Sequence, residues 1–264
     1  MGMDSFQMLR RFIMQEREIF GDAVIAAMPP ARNAVPKDTD MPRQKSTGAG
    51  DEDAPTLFGR EGSKPGRGQE AWEDTRSLDE FRGMIHDCRK CGLWQTRTNL
   101  VFGVGNPKAS FMVVGEAPGA DEDAQGEPFV GKAGQLLNKI LAAIGFARED
   151  VYIANVLKSR PPNNRKPQAD EVEACLPYLE KQVALIKPKL ILCLGLTAAE
   201  NLLKSGESMA RLRGRVFHYQ GIPLMVTYHP AALLRNPNWK HATWDDVRAA
   251  RKLHDELVQG QKVP

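Results

Sequence analysis

The chain has no run of about 20 apolar residues, the length a membrane-spanning helix needs, and so no hydrophobic segment points to the bilayer. Its opening stretch, MGMDSFQMLRRFIMQERE, is broken by charges and lacks the uninterrupted apolar core of a secretory signal. A cytoplasmic location is the expectation. Cysteine is scarce: four in 264 residues, at positions 88, 91, 175 and 193. That is too few for a disulfide scaffold, and in a cytosolic chain it suggests metal ligation or burial. Charge of one sign is also lacking. A net charge of +3 leaves any contact with a polyanion to a local patch.

What is present is ordinary for a globular protein: 42% hydrophobic and 26% charged residues, enough for one sizeable α/β domain with attached pieces. Residues 1–28 carry Phe6, Leu9, Ile13, Phe20 and Val24 at helical intervals, with Arg10, Arg11 and Glu16 between them. This reads as an amphipathic helix, either docked on a partner or on the main domain, or simply solvated. From 29 to 76 the periodicity collapses into prolines, glycines and mixed charges, the composition of a flexible linker. Order resumes at Ser77, a helix N-cap with Glu80 three residues on, and residues 77–264 form the main domain.

Four valine- and isoleucine-rich runs read as strands: Ser110–Gly115, Val151–Val156, Leu190–Gly195 and Leu224–Tyr228. Helical patterns at Gly134–Ile144, Ala169–Leu185 and Thr197–Leu203 separate them, and Trp244–Val258 follows. Strands apolar on both faces, alternating with helices, predict a four-stranded parallel sheet covered on both sides. Ligands of such sheets collect at the carboxyl ends of the strands. Every unusual motif lies just there.

After the first strand comes GEAPGADEDAQGEPFVGKAG, Gly115 to Gly134. Its glycines allow close approach of backbone to a ligand, and Gly131–Gly134 opens a helix whose amides could hold a phosphate. The Walker spacing is missing, so it is no P-loop. Five carboxylates between Glu116 and Glu127 leave metal binding open beside a structural turn. After the second strand comes NVLKSRPPNNRKP, Asn155 to Pro167. Asn155 offers a donor and an acceptor, whether as ligand group or cap. Lys158, Arg160, Arg165 and Lys166 surround a rigid Pro-Pro, a patch suited to nucleic-acid backbone or merely a solvated loop. After the fourth strand comes TYHPAALLRNP, with His229 at the strand end.

Together, GEAPGADED with GEPFVGKAGQLL, ANVLKSRPPNNRKP, the helix holding Cys175, and YHPAALLR resemble the family 4 uracil-DNA glycosylases. The resemblance covers about residues 78–258. It implies a three-layer α/β/α sandwich and excision of uracil from DNA. It also implies that Phe129 stacks on the extruded base, that Asn155 reads its Watson–Crick edge, and that Glu116 and Ala117 line the pocket. His229 would hydrogen-bond uracil O2, Asn164 and Glu122 would place the attacking water, and Leu233, Leu234 and Arg235 would meet the DNA stack and a phosphate. A monomer is expected. The family's [4Fe-4S] cluster would be held by Cys88, Cys91 and Cys175, but its remaining cysteine is Ser159 here, and serine oxygen is a poorer ligand. Cys193, inside ILCLG, reads as core. The cross-linking branch of the superfamily carries a nucleophilic histidine in an inserted loop, and RPPNNRKPQ has none, so hydrolysis is expected. Two other readings stand beside this one: a non-catalytic DNA-binding or polymerase-associated module, and a metal-dependent phosphohydrolase built on the acidic loop.

Overall fold

The computed structural model describes residues 70–260; the expected N-terminal helix and the linker as far as residue 69 lie outside them. Six strands form one sheet: β1 (Val104–Gly105), β2 (Phe111–Gly115), β3 (Tyr152–Asn155), β4 (Leu190–Leu194), β5 (Phe217–Tyr219) and β6 (Ile222–Thr227). Their order is β1-β3-β2-β4-β6-β5. The inner four are parallel, as the sequence predicts, with Val113 facing Ile153 on one side and Leu192 on the other. The sheet is mixed rather than purely parallel, because β1 and β5 add antiparallel edges. Strands of two and three residues carry no readable alternation, which is why the sequence does not announce them.

Successive side chains of a strand point to opposite faces, and here each face builds its own core. Met112, Val114, Tyr152, Ala154, Ile191 and Cys193 pack on one side. They meet helices α1 (Leu78–Ile85), α4 (Ala169–Ile186) and α5 (Leu196–Leu203). Phe111, Val113, Ile153, Leu192 and Met225 pack on the other, against α3 (Lys132–Ala143) and α8 (Trp239–Val258). The result is the expected three-layer sandwich, with Cys193 fully buried in it. Three short helices, α2 (Ala120–Gln125), α6 (Met209–Leu212) and α7 (Pro230–Arg235), sit in the loops at the strand ends.

The Ser77 hydroxyl accepts from the Glu80 amide at 3.2 Å, as an N-cap should. The Glu80 carboxylate bonds Arg76 instead of closing a capping box on Ser77. The domain begins earlier than Ser77, however. Trp72 is buried, with its ring 5.4 Å from Phe81 and edge-on to Tyr178 at 5.0 Å. Trp72 and Thr75 therefore tie this end of the expected linker to the domain. No helix among the described residues is long and apolar enough to cross a membrane.

Candidate active site

Because the inner strands are parallel, their carboxyl ends open on one side, and a cavity of about 770 Å³ lies there. Glu116, Ala117, Phe129, Asn155, Asn164 and His229 all line it. The sheet register accounts for the meeting: Gly115, last in β2, is paired with Asn155, last in β3. Gly115 has to be glycine, since a Cβ there would lie 2.4 Å from Oδ1 of Asn155 and 2.7 Å from the Phe129 ring.

Asn155 is only 2% exposed, and its Oδ1 has no hydrogen-bond partner among the described residues. A buried unpaired acceptor costs roughly 1–3 kcal/mol, so the fold keeps it at a penalty. Its backbone is held from behind. The buried Lys158 amine donates to the Asn155 carbonyl at 2.8 Å and to Gln182 Oε1 at 2.6 Å.

Phe129 is 5% exposed and adopts φ of +56°, a region that costs a non-glycine residue energy. Its surroundings hold it there. Arg148 donates to the carbonyls of Phe129 and Pro128 at 3.2 and 2.5 Å. The Glu122 carboxylate accepts from the amides of Gly119, Val130 and Gly131 at 3.0–3.1 Å. Glu122 is thus first a staple of the Phe129 loop. Two carboxylate oxygens offer about four acceptor positions, so one remains on its Oε2 for a water. Asp123, another of the acidic run, is buried and accepts from the amides of Thr98 and Asn99. Among the described residues, no three His, Cys, Asp or Glu side chains are placed to hold a metal ion.

His229 caps α7, its Nδ1 accepting from the Ala231 amide at 3.1 Å. An accepting Nδ1 leaves the proton of the neutral ring on Nε2. Burial, with Arg235 adding repulsion, lowers its pKa to about 4, so the ring is neutral at pH 7. It stacks on Phe129 with centroids 5.4 Å apart.

The expected basic patch is less free than its sequence implies. Arg165 pairs with the buried Glu171 at 2.5 Å, Lys166 with Glu200 at 2.8 Å, and Arg160 donates to Asn164. Arg165 and Arg235 line the cavity. Of the two leucines in α7, Leu233 is buried in the core and Leu234 is 48% exposed, so only Leu234 faces solvent. Lys158, expected in that patch, is instead buried, because its amine is taken up by Gln182 24 residues away. Arg148 went unnoticed in the sequence, since its partner carbonyl lies 20 residues away.

Cys175 lies in the core that α4 builds on the sheet, and Cys88 and Cys91 pack against that same core. The Cys88 sulfur accepts from Tyr178 and the Cys175 sulfur from the Lys158 amide, both at 3.1 Å. Burial raises the pKa of Cys91 and pushes that of Cys175 up to about 12. Ser159 is buried beside them, its hydroxyl accepting from Arg97 at 3.1 Å.

The sequence is similar to those of known proteins over most of the described residues. The family model of the uracil DNA glycosylase superfamily matches residues 102–248. A type-4 uracil-DNA glycosylase of Archaeoglobus fulgidus is 46% identical over 185 residues, 67% of this chain and 93% of that protein. Another from Sulfurisphaera tokodaii is 46% identical over 67% of this chain and 84% of its own. A third, from Pyrobaculum aerophilum, is 48% identical over 61% and 86%.

Proposed function

The chain belongs to the uracil DNA glycosylase superfamily, in its type-4 branch, and we propose that it hydrolyses the N-glycosidic bond of uracil in DNA to leave an abasic site. The unpartnered Oδ1 of Asn155, buried at the cavity wall, carries this reading. It suits the N3–H of uracil, while the amide nitrogen donates to O4. Cytosine presents an amino group and an unprotonated N3 at those positions and meets donor against donor and acceptor against acceptor. A base inside a duplex cannot reach such a pocket and must be extruded. Phe129, locked in its strained conformation, then stacks on the base.

As the bond breaks, positive charge grows on the sugar and negative charge on uracil. The Nε2–H of neutral His229 is the donor for O2, set in place before the reaction by the Ala231 amide. One such donor is worth about 100- to 1,000-fold in rate. The free lone pair of Glu122, with Asn164 across the cavity, places the attacking water. Leu234 fills the space the base leaves, and Arg235 meets a phosphate. Arg160, Arg165 and Lys166 contact backbone only by sharing charge already given to protein partners. The chain's Arg160–Gln168 segment contains no histidine, which favours hydrolysis over covalent capture. The acidic loop fits the phosphohydrolase reading poorly, since Glu122 and Asp123 hold backbone amides.

Cys88, Cys91 and Cys175 supply three of the four thiolates that usually hold a [4Fe-4S] cluster. Ser159, bonded to Arg97, is the remaining ligand position. Such a group would brace the segment before β1 against α4. The test of function is incubation with a uracil-containing oligonucleotide, followed by alkali: scission at the uracil supports the reading, and an intact strand refutes it.

A further inference from the structure

The cavity is larger than one pyrimidine needs. Its volume of about 770 Å³ lies high in the range of roughly 300–1,000 Å³ that houses drug-sized ligands. Asn155, Phe129 and His229 occupy one part, and Ser208, Tyr228 and Trp239 also line it. Nothing in the uracil-reading set uses this second group.

Trp239 is 39% exposed, yet it is held firmly. Its ring lies on that of Tyr228 with centroids 4.7 Å apart and planes within 7°. Beyond Tyr228, the Arg213 guanidinium stacks at 4.8 Å. Arg213 in turn bonds both oxygens of Asp246, at 2.6 and 3.1 Å, and the Ala242 carbonyl. Asp246 is buried and accepts from Thr227, the last residue of β6, at 2.7 Å. The sheet therefore anchors Asp246, then Arg213, Tyr228 and Trp239 in one pile. Part of the Trp239 ring is left in solvent at the cavity, backed by this pile. A ring fixed at the edge of a ligand cavity with part of its face open is suited to stacking on a second ring.

We propose that Trp239 is a stacking platform for the nucleobase adjacent to the extruded uracil in the same strand. This rests on the glycosylase reading and deepens it. The exposed Arg235, at the same rim, is placed for a phosphate of that nucleotide. Base–aromatic stacking is worth roughly 1–3 kcal/mol and tolerates any base. The enzyme would thus grip single-stranded flanks without reading their sequence.

The test uses oligonucleotides whose uridine carries a 2′-fluorine to block cleavage, with intact neighbours or with a base missing on the 5′ or 3′ side. Binding is followed by anisotropy. Wild type should lose affinity about 5- to 150-fold for one of the two gapped strands. Trp239→Leu should bind the intact strand that much more weakly and be indifferent to the gap, while Trp239→Tyr, which keeps a ring, should behave like wild type. The platform is overturned if Trp239→Leu matches wild type on the intact strand, if it still senses the gap, or if wild type never does. Uracil release from an unmodified oligonucleotide is scored separately. Gap-dependent binding without release would sink the glycosylase reading and leave the platform standing; release without gap dependence would do the reverse.

Discussion

The backbone amide of Ala231 donates to Nδ1 of His229 at 3.1 Å, and that bond decides which ring nitrogen carries the proton. A cationic ring could not accept it, so protonation would break the helix cap and alter the donor geometry together.

The pH profile follows. An ordinary histidine titrates near 6.5, but burial lowers His229 to about 4. The single-turnover rate should stay level from pH 8 to about 5 and fall only as pH approaches 4. Stability has the same sign. The unfolded chain takes up this proton below about 6.5 while the folded chain refuses it, so His229 makes the fold lose stability as pH falls between about 6.5 and 4. A rate that halves near pH 6.5, with the fold intact by circular dichroism, would contradict the assignment.

Asn155 should show function opposed to stability. Leucine has a similar shape and leaves no acceptor stranded. Asn155→Leu should raise stability by about 1 kcal/mol or more, shifting the melting temperature by roughly 2–4 °C, and abolish uracil release. A variant that is both less stable and still active would show that the amide is structural.

Truncation tests where the domain starts. Removing residues 1–69 should leave a folded, active protein. Trp72→Ala in that shorter chain should lower stability by about 3–5 kcal/mol, the usual cost of deleting a buried indole. Equal melting temperatures would place Trp72 outside the core.

Ser159 tests the cluster. We expect a brown protein when it is purified without oxygen, bleaching in air. Ser159→Cys should make the colour more persistent and raise the melting temperature, because a metal bound only by the folded state adds to folding. Cys193→Ala should leave the colour unchanged. Colour lost with Cys193→Ala but kept with Ser159→Ala would make Cys193 the ligand, and an iron-free colourless preparation would mean the chain carries no cluster.

The parallel core was legible because long apolar runs such as ILCLG declare buried strands, and three motifs fell at their ends. Residues whose roles depend on distant partners were not. Arg148 works through the Phe129 loop, Lys158 through Gln182, and Trp239 through a pile reaching Asp246. Neither the pairing of Arg165 with Glu171 nor that of Lys166 with Glu200 could be read from local charge, so the basic patch looked freer than it is. The Pro230–Arg235 helix was hidden by its brevity, although Pro230 is well suited to a first helical position.

The most direct test of the account is uracil release in a single turnover by wild type and by His229→Ala, with DNA affinity measured alongside. The donor is needed where charge develops and not for docking. The variant should therefore be about 100- to 1,000-fold slower while binding DNA nearly as well. A rate within about threefold of wild type would remove His229 from the chemistry and the proposed mechanism with it.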